Sequence, residues 1–474
     1  MRMFKLFAIL CAAWGYVGSL AQAQAVEKSG VLTTLYSFCA DNPCVGGVYN
    51  YNAGGGTLVQ ASNGALYGTT EGGGAYGHGT VFGITQDGKL ITLYSFSGGS
   101  DGGVPWFGLV LATDGNLYGV TTAGGVSNNG TIFKITQEGR LTTLYRFGSD
   151  YSAPTIYAAL VQAADGDIYG VTRTGGTSGN GTVFKITLSG RLTTLYSFSG
   201  GLDGAVPQAP MVQATNGDLY GTTYSDGAYG DGTIFKITPS GTLSVLDSFD
   251  GSDGGASQAG LIQATDGNLY GTGKFGGTYG GGSVYRLTPT GKLTTLYSFS
   301  GGADGSGPNS VLIQATDSNF YGTTEGGGTY GTGTIFKITP SGKQTTLYEF
   351  SSAYSGPGNS VYAGLFQATN GDLYGTTQYG GSADDGTVFS FSVGLGPFVE
   401  TLPTSSEIGA EIRILGDHLE NSKRVTFNGK AATFIVFSGT EISATVPPGA
   451  TTGTVQVTTP SGVLSSNKPF AVRE

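Results

Sequence analysis

The sequence predicts an all-β protein, a seven-bladed β-propeller closed by an N-terminal strand and followed by a small immunoglobulin-like β-sandwich. Three observations favour this fold class. A motif containing Tyr-Gly recurs with a period of about 51 residues, which is typical of four-stranded propeller blades. One strand motif of this repeat also occurs ahead of the first copy and is missing from the last copy. The period ends near residue 396, before a tail of a different pattern. The seven repeat tyrosines are Tyr67, Tyr118, Tyr169, Tyr220, Tyr270, Tyr321 and Tyr374.

The first 25 residues predict a secretory signal peptide. Arg2 and Lys5 precede an apolar stretch from Leu6 to about Val17, and small residues then lead to Ala25. A basic start, a short apolar centre and an Ala-x-Ala site are typical of a cleaved signal. The apolar stretch is shorter than the roughly 20 residues that a membrane-spanning helix needs. We therefore expect a secreted or extracellular protein, at the cell surface or in the periplasm, without a membrane span in the mature chain.

Each repeat, within residues 26–394, predicts four short strands. Runs rich in β-branched and aromatic residues alternate with turns such as Asp114-Gly115, whose glycine supplies the positive φ of a tight hairpin. Two of the four connections are tight turns. The other two are long: a Gly-rich loop after Leu-Tyr-Gly, and the linker to the next repeat. If the strands run from the centre outward in chain order, both long connections lie on one face.

The two ends of the repeat array predict how the ring closes. The seventh repeat stops after Phe389 without its outer strand, whereas Thr34-Leu35-Tyr36-Ser37-Phe38 is an unattached copy of that strand. Pairing this N-terminal copy with the last blade hides sheet edges that would otherwise remain open. The alternative is an open solenoid, which requires capping repeats with polar outer faces, and the sequence shows none.

The amino-acid composition excludes some classes of protein and of binding partner. The chain has 86 Gly, 27 Tyr and 25 Phe in 474 residues, its charged residues amount to 11%, and its net charge is −10. The many aromatic residues indicate a packed core, and the acidic balance excludes a basic nucleic-acid-binding protein. Cys11 leaves with the signal peptide, so Cys39 and Cys44 predict one disulfide, with two free thiols as the alternative. We expect no cofactor and no metal, since two cysteines without a nearby His do not fill a zinc shell.

The repeat as a whole resembles the GloVer tandem-repeat family of secreted bacterial proteins, which carry a choice of C-terminal anchors. The resemblance covers about residues 30–393 and rests on Leu-Val-Gln-Ala-x-Asp-Gly-x-Leu-Tyr-Gly-Thr-Thr, Gly-Thr-x-Phe-Lys-Ile-Thr and Leu-Tyr-Ser-Phe. It implies export and a variable C-terminal attachment module, and it implies no catalytic activity.

The tail, residues 397–474, predicts a separate β-sandwich. Segments of alternating polarity, such as the one around Ile412, are divided by turns. The tail resembles an IPT/TIG domain in Ile-Leu-Gly-Asp-His-Leu, Val-Thr-Phe-Asn-Gly-Lys and Val-Pro-Pro-Gly-Ala-Thr-Thr-Gly. That resemblance implies an extracellular spacer or interaction module.

Two positions of the Gly-rich loop predict ligand contacts, because loops on one rim of a rigid scaffold carry recognition. The fourth residue after the repeat tyrosine varies between copies, and the site residues predicted there are Glu71, Arg173, Tyr224, Lys274, Glu325 and Gln378. Five residues further on, four copies carry a tyrosine: Tyr76, Tyr229, Tyr279 and Tyr330. A tyrosine among glycines stacks on a sugar face and still donates a hydrogen bond. The alternative is that these tyrosines only cover the glycine loops.

These residues favour a secreted, non-catalytic binding or adhesion scaffold for a polysaccharide or a cell-surface protein, and we predict no catalytic residue. His78 and His418 lie in different domains, so no Ser-His-Asp triad assembles. One alternative is a carbohydrate-active hydrolase or lyase that uses propeller carboxylates such as Glu71 and Glu325, since glycoside hydrolysis requires only two acids. The other alternative is a purely structural protein of the cell envelope.

Overall fold

Every regular element among the described residues is a β-strand. The computed structural model describes residues 30–39, 56–148, 155–255, 257–351, 358 and 361–473. Within these ranges no helix is long and apolar enough to cross a membrane. The predicted signal peptide lies outside them. Cys39 is disulfide-bonded. Its predicted partner, Cys44, lies outside the described residues.

Among the described residues the repeats form seven four-stranded antiparallel sheets, and these confirm the predicted all-β, blade-like class. We number the sheets 1 to 7 in chain order, each with its short innermost strand first. Sheets 1 to 3 contain β2 (Val59–Gln60), β3 (Leu66–Thr70), β4 (Thr80–Ile84) and β5 (Leu90–Ser95); β6 (Val110–Leu111), β7 (Leu117–Thr121), β8 (Thr131–Ile135) and β9 (Leu141–Arg146); β10 (Val161–Gln162), β11 (Ile168–Thr172), β12 (Thr182–Ile186) and β13 (Leu192–Ser197).

Sheets 4 to 7 follow the same plan, except that sheet 7 takes its outer strand from the beginning of the chain. They contain β14 (Val212–Gln213), β15 (Leu219–Thr222), β16 (Thr233–Ile237) and β17 (Leu243–Ser248); β18 (Ile262–Gln263), β19 (Leu269–Gly273), β20 (Ser283–Leu287) and β21 (Leu293–Ser298); β22 (Ile313–Gln314), β23 (Phe320–Thr324), β24 (Thr334–Ile338) and β25 (Gln344–Glu349); β26 (Phe366–Gln367), β27 (Leu373–Thr377), β28 (Thr387–Ser392) and β1 (Val31–Ser37).

The N-terminal strand β1 completes the last sheet, as the two ends of the repeat array predict. It pairs antiparallel with β28 from Val31 opposite Ser392 to Ser37 opposite Thr387. The following residue, Phe38, extends this contact, because its backbone N–H donates to the carbonyl of Gly386 at 3.0 Å. The outer edge of β28 is therefore covered by strand pairing.

Apolar side chains pack between each sheet and the next, and also between sheet 7 and sheet 1. A phenylalanine at the end of each outer strand meets a third-strand aromatic ring of the following sheet edge-on, with centroids 5.1–6.3 Å apart. Phe38 of sheet 7 contacts Phe82 of sheet 1 in this way at 5.6 Å. Leu58 and Ile84 of sheet 1 share the same buried cluster with Val388 of sheet 7. The sheets therefore follow one another in a closed order.

A second set of contacts joins the inner strands. At six junctions the side-chain oxygen of an inner-strand glutamine accepts a backbone N–H from the preceding sheet, at 2.7–3.1 Å. The junction between sheets 7 and 1 is one of these, with Thr369 donating to Gln60. At the junction between sheets 1 and 2 the repeat has Leu111 in place of the glutamine. That exception coincides with the docking position of the C-terminal domain.

The C-terminal domain is a sandwich of two four-stranded sheets with one additional strand pair. Its core contains Ile414, Val425, Phe427, Ile442 and Val457, all buried. One sheet has the order β29-β31-β35-β34, the other has the order β33-β32-β36-β37, and β30 pairs parallel with β38. The strands are β29 (Glu400–Leu402), β30 (Ser405–Glu407), β31 (Glu411–Leu415), β32 (Arg424–Phe427), β33 (Lys430–Ala431), β34 (Phe434–Val436), β35 (Glu441–Thr445), β36 (Val455–Thr459), β37 (Gly462–Ser465) and β38 (Ala471–Arg473).

This domain rests on the inner hairpins of the propeller. Leu415 is 3% exposed and joins the apolar cluster that contains Leu111. The Thr440 hydroxyl donates to the Ser62 carbonyl at 2.6 Å, and Arg473 donates to the Ala164 carbonyl at 3.1 Å. These contacts reach the inner hairpins of three sheets. The domain therefore covers part of the face of the ring on which the tight hairpin turns lie, which we call the hairpin face.

The long-loop face as a candidate binding site

The two long connections of each repeat meet on the face opposite the C-terminal domain. In sheet 2 the linker residue Gly103 and the loop residue Ala123 exchange backbone hydrogen bonds at 2.9 and 3.0 Å. The N–H of Val104, in the same linker, donates to the carbonyl of His78 in the Gly-rich loop of sheet 1 at 2.8 Å. The loops therefore form a continuous surface, which we call the long-loop face.

The site residues predicted at the variable loop position lie where the Gly-rich loops adjoin the linkers to the inner strands. We call Glu71, Arg173, Tyr224, Lys274, Glu325 and Gln378 the inner set. Arg173 N–H donates to the carbonyl of Thr155 at 2.7 Å, and Glu325 N–H donates to that of Gly307 at 3.1 Å. Five of these side chains are half-buried, and that of Arg173 is exposed. Backbone contacts with the linkers thus hold this position in place.

Two members of the inner set connect neighbouring sheets. Lys274 Nζ of sheet 5 lies 2.8 Å from Glu325 Oε2 of sheet 6. The hydroxyl of Tyr362, in the linker to sheet 7, donates to Glu325 Oε1 at 3.3 Å. Lys274 Nζ also lies 5.6 Å from the ring centroid of Phe275. The Glu325 carboxylate therefore has a basic and a phenolic partner, an arrangement that holds this charge in place.

Arg173 has a different environment. Its guanidinium carbon lies 5.2 Å from the ring centroid of Tyr157, in the linker that leads to sheet 3. The Tyr157 ring in turn meets Phe107, in the preceding linker, edge-on at 5.6 Å. The aromatic rings fix the position of the guanidinium without neutralising it.

The four predicted tyrosines form a separate zone. Tyr76, Tyr229, Tyr279 and Tyr330 are 57–68% exposed at the tips of the Gly-rich loops. These tips lie beside the ends of the outer strands, since Thr278 N–H donates to Ser298 Oγ at 3.2 Å and Ala228 N–H donates to Ser248 Oγ at 3.3 Å. The ten predicted residues therefore share one face but occupy an inner and an outer zone of it.

The sequence interpretation missed several aromatic residues in the inner zone. Tyr157 and Tyr362 occupy the same linker position in two repeats, where other copies have Trp106, Gln208, Gln258 and Asn309. Phe275 and Tyr379 are the residues directly after the variable loop position, and both are exposed. Aligning the linkers of the copies as closely as the Gly-rich loops would have found the first pair. The second pair carries no repeated signal, because the other copies have small residues there.

The linker after sheet 4 departs from a pattern that the linkers after three other sheets share. In three sheets an outer-strand tyrosine donates to a linker aspartate at 3.0 Å, as in Tyr94 with Asp101. Burial acts to raise the pKa of Asp101, but hydrogen bonds from Ser97 and Tyr94 outweigh it and lower that pKa. Sheet 4 has Asp247 where the tyrosine stands. Burial and the neighbouring Asp250 and Asp247 carboxylates raise the pKa of Asp253 to about 6.

We expect Asp253→Asn to stabilise the protein by about 1 kcal/mol at pH 8 and to have no effect near pH 4. A carboxyl group whose pKa is raised in the folded state stabilises the fold while protonated and loses that contribution as the pH rises through about 4 to 6. A pKa shift of this size changes the free energy of unfolding by about 3 kcal/mol at most. The expected effect is smaller because the Asp253 side chain is half-exposed to solvent. Urea unfolding at both pH values measures the effect. Asp101→Asn is the control, since it removes a carboxylate of lowered pKa and should destabilise at pH 8. A loss of stability in Asp253→Asn at pH 8 would contradict the interpretation.

The carboxylates proposed for an enzymatic alternative are not neighbours in the ring. Glu71 belongs to sheet 1 and Glu325 to sheet 6, with sheet 7 between them. Glu325 is ion-paired with Lys274. In the part of the chain that the structure describes, no group of three or more His, Cys, Asp or Glu side chains is arranged to hold a metal ion.

The fold and the repeat define the class of protein: a propeller-like ring of repeated four-stranded sheets with a C-terminal immunoglobulin-like domain. Residues 18–229 and 208–405 match the Gloeobacter/Verrucomicrobia repeat, so the chain belongs to that repeat family. Residues 398–472 match the IPT/TIG domain. Both matches confirm the resemblances seen in the sequence. The curated proteins include no match to this sequence.

Three solved structures that are similar to this chain match it at low identity and with TM-scores below 0.5. A proposed 6-phosphogluconolactonase from Bacteroides uniformis is 16% identical, with a TM-score of 0.43, over 61% of this chain and 83% of that chain. A fungal alcohol oxidase of the AA5 family, in complex with copper, is 13% identical, with a TM-score of 0.49, over 94% and 99%. A gluconolactonase from Xanthomonas campestris is 13% identical, with a TM-score of 0.38, over 77% and 91%. At these identities and TM-scores the likeness carries no conclusion about the activity of this chain.

Proposed function

We propose that this chain is a secreted, non-catalytic binding or adhesion protein that holds a carbohydrate against the inner zone of the long-loop face. One observation supports the proposal above the others: the C-terminal domain rests on the hairpin face, whereas the opposite face presents aromatic and polar side chains. Rigid scaffolds place recognition on their loops.

The inner zone has the chemistry that sugars require. Phe275 and Tyr379 offer exposed rings on sheets 5 and 7, on either side of the sheet that carries Glu325. Between Tyr157 and Tyr362 the same linker position carries the half-buried amides of Gln258 and Asn309, whereas that of Gln208 is buried. Rings stack on the apolar faces of a sugar, and amides and phenols hydrogen-bond with its hydroxyl groups. This combination favours a polyhydroxylated ligand.

The proposed function is tested by glycan-array binding of the purified mature protein, together with a turnover assay on every glycan that binds. The expected result is binding without product. The variant Phe275→Ala/Tyr379→Ala should weaken that binding by about tenfold or more, because each aromatic contact contributes about 0.5–1.5 kcal/mol beyond the burial of its surface. Titration calorimetry gives the two dissociation constants.

The matched control is Tyr279→Ala/Tyr330→Ala, which removes two aromatic rings from the outer zone of the same face. If the outer pair weakens binding and the inner pair does not, the ligand lies at the loop tips and the proposed position is wrong. Product formation that is lost in Glu325→Gln would favour the enzymatic alternative. Absence of both binding and product would favour a purely structural envelope protein.

Export is part of the proposal, because residues 1–25 have the pattern of a cleaved signal. N-terminal sequencing of protein recovered from the culture medium and from the cell envelope tests it. Cleavage after Ala25 is expected, and an intact Met1 in a cytosolic fraction would contradict export.

A further inference from the structure

The exposed guanidinium of Arg173 has no ionic partner among the residues that the structure describes. It forms no ion pair and no side-chain hydrogen bond with any described residue, and its recorded contact is the face of Tyr157 at 5.2 Å. The equivalent cation of sheet 5, Lys274, is neutralised by Glu325 at 2.8 Å. Within the described ranges, the same loop position therefore carries one cation with an ionic partner and another without one.

The Tyr157 ring orients this available cation. A guanidinium that lies over an aromatic face keeps N–H groups that can donate to a ligand. Tyr157 is itself held edge-on by Phe107 at 5.6 Å, so the support under Arg173 is not a single mobile side chain. An arginine fixed in this way loses less conformational entropy when it binds a planar anion in two-point contact.

We propose that Arg173, supported by Tyr157, is a carboxylate subsite, and that the ligand of the long-loop face is an acidic polysaccharide whose sugars are uronates. This inference rests on the proposed function, because it names the class of carbohydrate. The guanidinium donates paired N–H···O bonds to the uronate carboxylate, and the neighbouring aromatic and amide side chains contact the sugar rings.

The overall charge of the chain makes the inference specific. The net charge is −10, so a polyanion is not attracted to this protein by its mean electrostatic field. Preference for an acidic glycan over its neutral counterpart must then come from a local cation. Arg173 is the exposed cation of the inner set.

Galacturonate oligomers provide the test, since methyl esterification removes the carboxylate charge and leaves the sugar backbone intact. Calorimetry compares the wild-type protein with both forms of the same oligomer. Binding to the free acid is expected to be at least tenfold tighter. Arg173→Gln should abolish that preference, and Arg173→Lys should restore only part of it, because an ammonium does not form the two-point contact. A charge-assisted hydrogen bond corresponds to about 10-fold to 100-fold in affinity.

The control is Arg191→Gln, which removes an exposed arginine from the β12–β13 hairpin of the same sheet, on the opposite face. Its affinity should equal that of the wild type. Equal binding of acid and ester, or an unchanged preference in Arg173→Gln, overturns the acidic-ligand inference and leaves glycan binding intact. Failure of every oligomer and every arrayed glycan to bind instead overturns the proposed function. Equally tight binding of a poly-glutamate peptide would overturn the assignment to a polysaccharide.

Discussion

Replacing Phe38 by alanine is expected to lower the free energy of unfolding by about 3–5 kcal/mol. Phe38 is fully buried and meets Tyr36 and Phe82 edge-on, at 5.3 and 5.6 Å. Truncation would leave a cavity at the junction where the first and last sheets meet. Because β1 is tied to sheet 7 through its pairing with β28, the same change should also make the N-terminal strand easier to detach. Urea denaturation gives the free energy, and hydrogen exchange of β1 amides reports the detachment.

The control for Phe38 is Phe437→Ala, which removes the same ring from an exposed position of the C-terminal domain. A loss below about 0.5 kcal/mol is expected there. If both variants lose the same free energy of unfolding, packing of Phe38 at this junction contributes no more to stability than an exposed ring does. Faster exchange throughout the ring without preferential exposure of β1 would show that the strand does not open independently.

A second large effect is expected at Gly130, in the Gly-rich loop of sheet 2. Its φ is +86°, and a Cβ atom there would lie 1.9 Å from the carbonyl oxygen of Thr121. Gly130→Ala must therefore displace the ends of β7 and β8 as well as adopt a left-handed conformation. We expect a loss of about 3 kcal/mol or more, read from the midpoint of chemical unfolding.

Gly217→Ala is the matched control, because Gly217 also has a φ of +86° but would place its Cβ in open space. Only the conformational penalty of about 1–2 kcal/mol applies there. The difference between the two variants measures the close approach. Equal losses would show that backbone conformation alone requires glycine at both positions.

The parts of the fold that could be predicted are those whose sequence motifs recur from copy to copy of the repeat. Spacing between copies gives the four-stranded sheets, and the unattached Leu35-Tyr36-Ser37-Phe38 motif gives the pairing of β1 with β28. These features depend on short-range strand and turn preferences that each copy repeats. The position of the C-terminal domain could not be predicted in this way. In the repeats this position is indicated by Leu111, an apolar residue where the inner strands of the other copies have a glutamine.

The candidate site shows the same limit. Comparing copies identified the loop position that includes Arg173 and Lys274, because variation at a fixed position is visible in the sequence. Which of the two cations is neutralised depends on the next sheet carrying Glu325, a contact across a junction between repeats. The roles of Tyr157 and Tyr362 depend on the same kind of contact. Side-chain partners from different repeats are set by packing, and sequence spacing does not encode them.

The division of sheet 7 between the two ends of the chain has a consequence for biogenesis. The strand synthesised first has its pairing partner among the last residues of the repeat array, so it stays without that partner until β28 has emerged. If the chain is exported with its N-terminus first, as proposed above, the complete ring can assemble only after nearly all of the repeats have crossed the membrane. Closure of the ring therefore depends on synthesis of the full array, and in a chain interrupted before its seventh copy β1 would have no pairing partner.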